Sequence, residues 1–259
     1  MHPREREGAA GLKEYWKTIS FESKLLDMPF TFAHPAIILP FYKSKTFSRF
    51  FTLLVIGSMS PDFEYFLRLQ TYSKYSHTIP GIFYFCIPAS LVIFFLYEKV
   101  IKPELTRYFL QKEVTTISII RSNTDILLGI TAIVIGAFSH ILWDSFTHIG
   151  GFFVTHYPIF FQQYFGSIPM FKILQHGSTL VGGLIVFIFL WNKLTSRLFL
   201  FQKFTYTTLA IFGGILIAAE IIVPKTFNTL GQFVVTIITS FFTSVLISSI
   251  ALKDYKKRV

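Results

Sequence analysis

The chain has 259 residues, of which 52% are hydrophobic and only 15% are charged, and its mean hydropathy is +0.55. Charged residues make up about a quarter of ordinary soluble domains, so this composition excludes that class and indicates a polytopic membrane protein. The net charge of +10 comes from Lys and Arg dispersed among short loops, which argues against nucleic-acid binding. A single cysteine, Cys86, excludes a disulfide framework or a cysteine-based zinc site within one chain.

The first 27 residues mix five basic with five acidic side chains and contain no long apolar run. They predict a polar arm, and the apolar pattern begins at Met28. Residues 28–259 are interpreted as one membrane domain, with a core at 28–183 that carries the candidate site and additional transmembrane helices at 184–259. The predicted fold class is all-α, a transmembrane bundle of about six or seven helices.

The apolar segments give the predicted elements in chain order. Residues 29–42 are too short for an ordinary span and are interrupted by Pro35 and Pro40, which favours a re-entrant or short tilted helix. A loop rich in aromatic residues is predicted at 152–171. The remaining predicted helices cover residues 50–67, 82–97, 126–143, 178–191, 204–223 and 231–252.

The most informative segment is the polar end of the helix predicted at 126–143, which continues through Ser139 to His148. Positions four apart lie above one another on a helix, so His140, Asp144 and His148 form one polar stripe. Ionisable side chains at membrane depth are costly and usually face a protein interior, a cavity or a metal. The alternative is a helix end whose polar residues extend into the lipid headgroups.

The distribution of basic loops predicts which end of the bundle carries these residues. Basic residues remain on the cytoplasmic side, and the basic connections at 43–49, 99–121 and 193–203 alternate with poorly basic ones. This orientation places one polar layer at the non-cytoplasmic ends of the helices, although the basic arm before Met28 argues against it. The predicted layer contains His34, Asp62, His77, His140, Asp144 and His176.

Imidazole and carboxylate together suit a divalent metal, with zinc the first choice and manganese or iron as alternatives. Such a metal activates water for hydrolysis without a nucleophilic side chain. Asp62 and Glu64 are the predicted catalytic residues, Glu64 as a base or as a support for the ligands. The predicted metal ligands are His34, Asp62, His77, His140, Asp144 and His148. Each also has a structural interpretation, as a helix cap, turn residue or surface residue.

The same motifs carry a family resemblance: His34-Pro35, Ser60-Pro61-Asp62-Phe63-Glu64, Ser76-His77 and Ser139-His140-x-x-x-Asp144. From Met28 to about Gly183 the chain resembles an uncharacterised bacterial membrane family whose members begin Met-Pro-Phe-Thr-Phe-x-His-Pro. That family resembles membrane-bound metal-dependent hydrolases and, more distantly, zinc-dependent phospholipase C. The resemblance implies metal-ligand roles for His34, Asp62, His77, His140 and Asp144. It departs after His176, where Leu180 replaces the Glu of the phospholipase pattern.

Three functions are compatible with this pattern. The first is a metal-dependent hydrolase in the bacterial cytoplasmic membrane, acting on a phosphoester or lipid at the non-cytoplasmic face, with membrane lipids as partners. The second is an ion- or proton-coupled transporter, which predicts polar residues through the full depth of the bundle. The third is a non-catalytic membrane scaffold with a structural metal site.

Overall fold

A computed structural model describes residues 31–110, 121–165, 168–194, 202–222 and 229–255. The polar arm predicted for residues 1–27 lies outside the described residues, as does most of the basic connection predicted at 193–203. The described chain is almost entirely helical, which confirms the predicted all-α class. Its β structure is one antiparallel pair, β1 (Gln163–Phe165) and β2 (Ile168–Pro169).

The described part of the chain begins with a 3-10 helix, Thr31–Lys43, where the short helix was predicted. Pro35 and Pro40 lie inside it, and each lacks the backbone N–H that a regular α-helix would use. The α-helices that follow are α1 (Phe51–Met59), α2 (Phe63–Arg68), α3 (Ile79–Gly81), α4 (Ile87–Leu96), α5 (Lys102–Leu110), α6 (Asn123–Thr147), α7 (Phe152–His156), α8 (Met170–Leu194), α9 (Gln202–Ile222) and α10 (Leu230–Tyr255).

Close packing of α1 against α6 forms the centre of the bundle. A Cβ atom built on Gly57 would lie 2.6 Å from the carbonyl oxygen of Ile133, and one on Gly136 would lie 2.4 Å from that of Leu54. These two glycines therefore let the backbones approach closely, as small residues do between membrane helices. The adjoining buried core consists of Ile38, Phe50, Leu53, Leu54, Ala132 and Ile133.

Two of the predicted helices differ clearly from the structure in where they begin or end. The helix predicted at 82–97 begins at Ile79 and continues through π-helical turns into α5, so the first part of the connection predicted at 99–121 is helical. Pairs of opposite charge along the helix, Glu98 with Lys102 and Glu104 with Arg107, stabilise this extension. The helix predicted to begin at 178 begins at Met170 instead, directly after Pro169, because the exposed Gly177 does not interrupt it.

Four described helical segments are long and apolar enough to cross a membrane: Ile79–Arg107, Asn123–His156, Met170–Trp191 and Leu230–Leu252. Large apolar side chains on these segments are exposed at the surface, among them Phe83, Phe95, Leu180 and Phe187. Such a surface suits lipid, so the chain is an integral membrane protein with the predicted helical-bundle architecture.

Candidate metal centre

Asp62 enters the candidate site from a break between α1 and α2. Pro61 lies in the 3-10 turn Ser60–Asp62 that separates the two helices, and Asp62 is 1% exposed. Its Oδ2 atom accepts a hydrogen bond from the Thr31 hydroxyl at 2.5 Å, which leaves Oδ1 facing the imidazoles of His77 and His140. A buried carboxylate needs such partners, because an unpaired charge in the interior is costly.

His77 comes from the connection between α2 and α3, which Glu64 holds in place. The Glu64 carboxylate accepts hydrogen bonds from the backbone N–H groups of Lys74, Tyr75 and Ser76, at 2.9–3.0 Å. It also pairs with Arg68 at 2.7 Å. Glu64 was predicted as a base or ligand support, but the structure directs it into this connection and not into the cluster. Its catalytic role stays a prediction.

We expect the substitution Glu64→Gln to loosen the connection that carries His77. A glutamine side chain has one acceptor oxygen, whereas both carboxylate oxygens of Glu64 accept backbone N–H groups. Because a buried donor left unpaired costs about 1–3 kcal/mol, the free energy of unfolding should fall by at least about 1 kcal/mol. Denaturation in detergent measures this change, and faster amide hydrogen exchange at residues 74–76 would locate it. Unchanged stability and exchange would contradict the anchoring role.

The hydrogen bonding of His140 defines which of its ring nitrogens faces the cluster. His140 is 0% exposed, and its Nδ1 atom lies 2.8 Å from the Ser58 carbonyl oxygen. A carbonyl only accepts, so Nδ1 carries the hydrogen and the lone pair of the neutral ring is on Nε2. That Nε2 atom lies 3.5 Å from Asp62 Oδ1 and 3.1 Å from Asp144 Oδ2. A neutral ring in this position directs a lone pair at two carboxylates, so a positive charge between them, from a proton or a metal ion, stabilises the arrangement.

His77 faces the same two carboxylate oxygens. Its Nε2 atom lies 3.3 Å from Asp62 Oδ1 and 3.5 Å from Asp144 Oδ2. Burial opposes protonation of this residue, but the nearby carboxylates of Asp144 and Asp62 outweigh burial and raise the pKa of His77. A proton or a metal ion can therefore supply the positive charge that the carboxylates attract.

The nitrogen–oxygen separations fit a shared metal ion better than direct hydrogen bonds. Ligands about 2.0–2.2 Å from a tetrahedral zinc ion lie about 3.3–3.6 Å apart. The four separations between the two Nε2 atoms and the two carboxylate oxygens are 3.1–3.5 Å. Charge-assisted hydrogen bonds between imidazolium and carboxylate would be shorter, at about 2.7–2.9 Å. The donor set of His77, His140, Asp62 and Asp144 thus fits a divalent metal.

His34 completes a second, overlapping donor group with Asp62 and His140. Its ring stacks on that of His140 with the centroids 3.7 Å apart, and its Nε2 atom lies 3.6 Å from Asp144 Oδ1. Two stacked imidazoles repel each other when both are protonated, which favours neutral rings. Three buried atoms here have no hydrogen-bond partner: His34 Nδ1, His140 Nε2 and Asp144 Oδ1. Buried polar atoms usually have a partner, so unpaired nitrogen and oxygen atoms that converge at one place suit a cation-binding site.

His148 lies at the edge of the cluster, whereas His176 is outside it. The Nδ1 atom of His148 is 3.2 Å from Asp144 Oδ1, and the His148 side chain is 32% exposed at the end of α6. His176, which was placed in the same polar layer, lies inside α8 on an exposed face. The predicted start of this helix at residue 178 was wrong, because the helix begins at Met170 and His176 lies within its first turns.

Three contributors to the site were not identified from the sequence. They are the Thr31 hydroxyl, the Ser58 carbonyl and the Gln175 side chain. A threonine and a backbone carbonyl have no distinctive sequence pattern. The spacing of Gln175, Ser178 and Thr179 on one helical face could have indicated a polar stripe, but only with the correct start of α8.

Two adjoining spaces open beside the cluster. A small cavity with about 10 Å³ for the centre of a water-sized molecule is lined by residues that include His34, Asp144, His148 and Gln175. Next to it lies an apolar cleft of about 220 Å³, and the two share Trp143, Thr147 and Ser178 in their walls. The other residues of the cleft are Ile37, Leu142, Phe146 and Leu174.

These features define an integral membrane protein with a buried histidine–aspartate cluster that could hold a metal ion. The chain belongs to the family described as a domain of unknown function, DUF4184, whose profile matches residues 28–250. The match begins at Met28, where the membrane domain was predicted to start, and confirms membership of an uncharacterised family. No curated protein and no solved structure matches the chain, so the predicted likeness to hydrolases has no support from these comparisons.

Proposed function

We propose that the chain is a membrane-embedded, metal-dependent hydrolase of a phosphoester or lipid. The observation that carries this proposal is the convergence of the Nε2 atoms of His77 and His140 on carboxylate oxygens of Asp62 and Asp144, with nitrogen–oxygen separations of 3.1–3.5 Å. Zinc is the metal that best suits two imidazoles and two carboxylates, with manganese and iron as the alternatives. A divalent metal at such a site polarises a phosphoryl oxygen and makes water a stronger nucleophile.

The exposure of the cluster on one side supports a catalytic rather than a purely structural centre. Structural zinc sites are closed, whereas catalytic sites keep a position open for substrate or water. The side chains of Asp144, His77 and His148 are 14%, 19% and 32% exposed, respectively. His34 and His140 are buried and form the closed side of the cluster, where packing fixes the positions of the donor atoms. The more exposed side can admit a ligand.

The apolar cleft beside the cluster supports an amphipathic substrate. Its walls are almost entirely apolar side chains, and it adjoins the polar cavity at Trp143. A lipid could place a chain in the cleft and its phosphoester near Asp144. In this reaction water adds to phosphorus, the ester P–O bond breaks, and the alcohol leaves with a proton.

The location of basic residues supports a site on the non-cytoplasmic side. Arg49 forms an ion pair with Asp125 at the beginning of α6, whereas the cluster includes residues near the end of that helix. Since basic residues favour the cytoplasmic side, the His/Asp cluster is assigned to the opposite face. We propose the bacterial cytoplasmic membrane as its location, because the sequence motifs resemble those of a bacterial membrane family, with membrane lipids as its partners.

Hydrolysis by purified protein tests the proposed function. Metal-loaded protein should release a water-soluble product from phospholipid or phosphoester substrates, and chelation should stop that release. The substitution His77→Ala should abolish the activity, because it removes one of the four donor atoms. His176→Ala is the matched control, since His176 lies outside the cluster. Product release that persists at the same rate in the chelated protein or in His77→Ala would contradict the proposal.

A further inference from the structure

The side chain of Gln175 is buried beside the metal centre with half of its hydrogen-bonding capacity unused. Gln175 is 4% exposed, and its Nε2 atom is buried without a hydrogen-bond partner. A buried amide donor left unpaired costs about 1–3 kcal/mol, so such groups usually have a partner. The proposed metal centre does not include Gln175, and this donor is therefore available for another ligand.

Lys172 determines which end of the Gln175 amide is unpaired. Its Nζ atom lies 3.0 Å from Gln175 Oε1, and both residues are buried in the first turns of α8. A lysine ammonium group only donates hydrogen bonds, so the atom that it contacts must be the amide oxygen. This contact turns the two N–H bonds of Nε2 away from Lys172, and the positive charge of the lysine strengthens the amide as a donor.

Tight packing of α8 on the 3-10 helix Thr31–Lys43 places this donor next to the cluster. A Cβ atom on Gly182 would lie 3.0 Å from the carbonyl oxygen of Ala33, the residue before His34. Gly182 lies seven positions after Gln175, which puts both residues on the same face of the helix. Gln175 consequently lines the same small cavity as His34, Asp144 and His148.

We propose that Gln175 Nε2 donates a hydrogen bond to a phosphoryl oxygen of the ligand bound at the metal centre. Phosphoryl oxygens only accept hydrogen bonds, and they match both an amide donor and the positive charge of the nearby Lys172. The Nε1–H group of Trp143 does not serve this purpose, because it lies 3.2 Å from the Ser178 hydroxyl oxygen. Gln175 is thus assigned as a substrate-binding residue, an assignment that rests on the proposed function.

The experiment measures phosphate affinity of the full chain in detergent by calorimetric titration, with metal-loaded and chelated protein. Inorganic phosphate is one probe and short-chain phosphatidic acid is the other, which distinguishes a free anion from a lipid headgroup. The test variant is Gln175→Leu, which removes the donor. Gln175→Glu retains a partner for Lys172 while placing an acceptor towards the cavity. Gln232→Leu on α10 is the matched control, because this glutamine also has an unpartnered buried amide atom.

Both Gln175 variants should weaken phosphate binding by about ten- to a hundredfold, the usual effect of one hydrogen bond to a charged group. Their metal content and the affinity of Gln232→Leu should equal those of the parent. Parental phosphate affinity in Gln175→Leu, or no binding of either probe by the parent, would overturn the inference. The metal content of the parent tests the proposed metal-dependent function separately. If the parent contains no metal, the phosphate titration of chelated protein still tests whether Gln175 contributes to phosphate binding.

Discussion

The substitution Asp144→Asn should remove metal binding while leaving the helical bundle folded. Asp144 is within 3.6 Å of ring nitrogens of four histidines, His34, His77, His140 and His148. The asparagine side chain has the same shape but carries no charge, and its nitrogen atom has no lone pair for a metal. Substitution of a residue that only supports a metal ligand lowers the metal affinity by about 10–100-fold. Because Asp144 is itself a proposed ligand, we expect Asp144→Asn to lower the metal affinity by more than about 100-fold.

Competition with a chromogenic chelator measures this affinity, and Asp125→Asn provides the control. Asp125 is the same residue type on the same helix, but it pairs with Arg49 at 2.5 Å at the other end of α6. This variant should bind metal like the parent. Equal metal affinity in Asp144→Asn and the parent would show that Asp144 is not a ligand.

The substitution Gly136→Ala should separate the two helices that bring Asp62 and His140 together. The added Cβ atom would lie 2.4 Å from the Leu54 carbonyl oxygen and 2.6 Å from the Ser58 backbone nitrogen. Backbone atoms cannot turn aside as a flexible side chain can. Overpacking costs typically about 1–3 kcal/mol and sometimes more, so we expect destabilisation of at least that size. The shift should also weaken the bond from His140 to the Ser58 carbonyl.

Thermal unfolding in detergent, measured together with metal content, checks the Gly136 prediction. Gly213→Ala is the matched control, because a Cβ atom on Gly213 in α9 would have nothing within 4 Å. That variant should be as stable as the parent or slightly more so, since alanine favours the helix. A Gly136→Ala protein with parental stability and metal content would contradict the close α1–α6 contact.

Much of the fold could be predicted from the apolar periodicity of the sequence. The predicted helices at 204–223 and 231–252 agree closely with α9 and α10, because long apolar runs with at most one charged residue have few alternatives. Segments with charge or glycine were harder to predict. The extension through α5 depends on ion pairs that Glu98 and Glu104 form with basic residues of the same helix. The early start of α8 depends on Gly177, which is exposed and does not interrupt the helix.

The candidate site was predicted in composition but not in geometry. The spacing of His140 and Asp144 was enough to place both on one helical face, and the structure brings His34, Asp62 and His77 to them. Glu64 illustrates the limit of such reasoning. A carboxylate two residues from a predicted ligand suggests chemistry, yet its oxygens accept hydrogen bonds from a neighbouring connection whose path cannot be read from local sequence.

Elemental analysis of the full chain, purified in detergent without chelators, tests the central claim most directly. The parent is compared with a double variant, His140→Ala with Asp144→Ala, which removes two of the four converging donors. We predict close to stoichiometric zinc, manganese or iron in the parent and its loss in the folded double variant. A parent without metal, or a double variant with as much metal as the parent, would contradict a metal centre at this cluster.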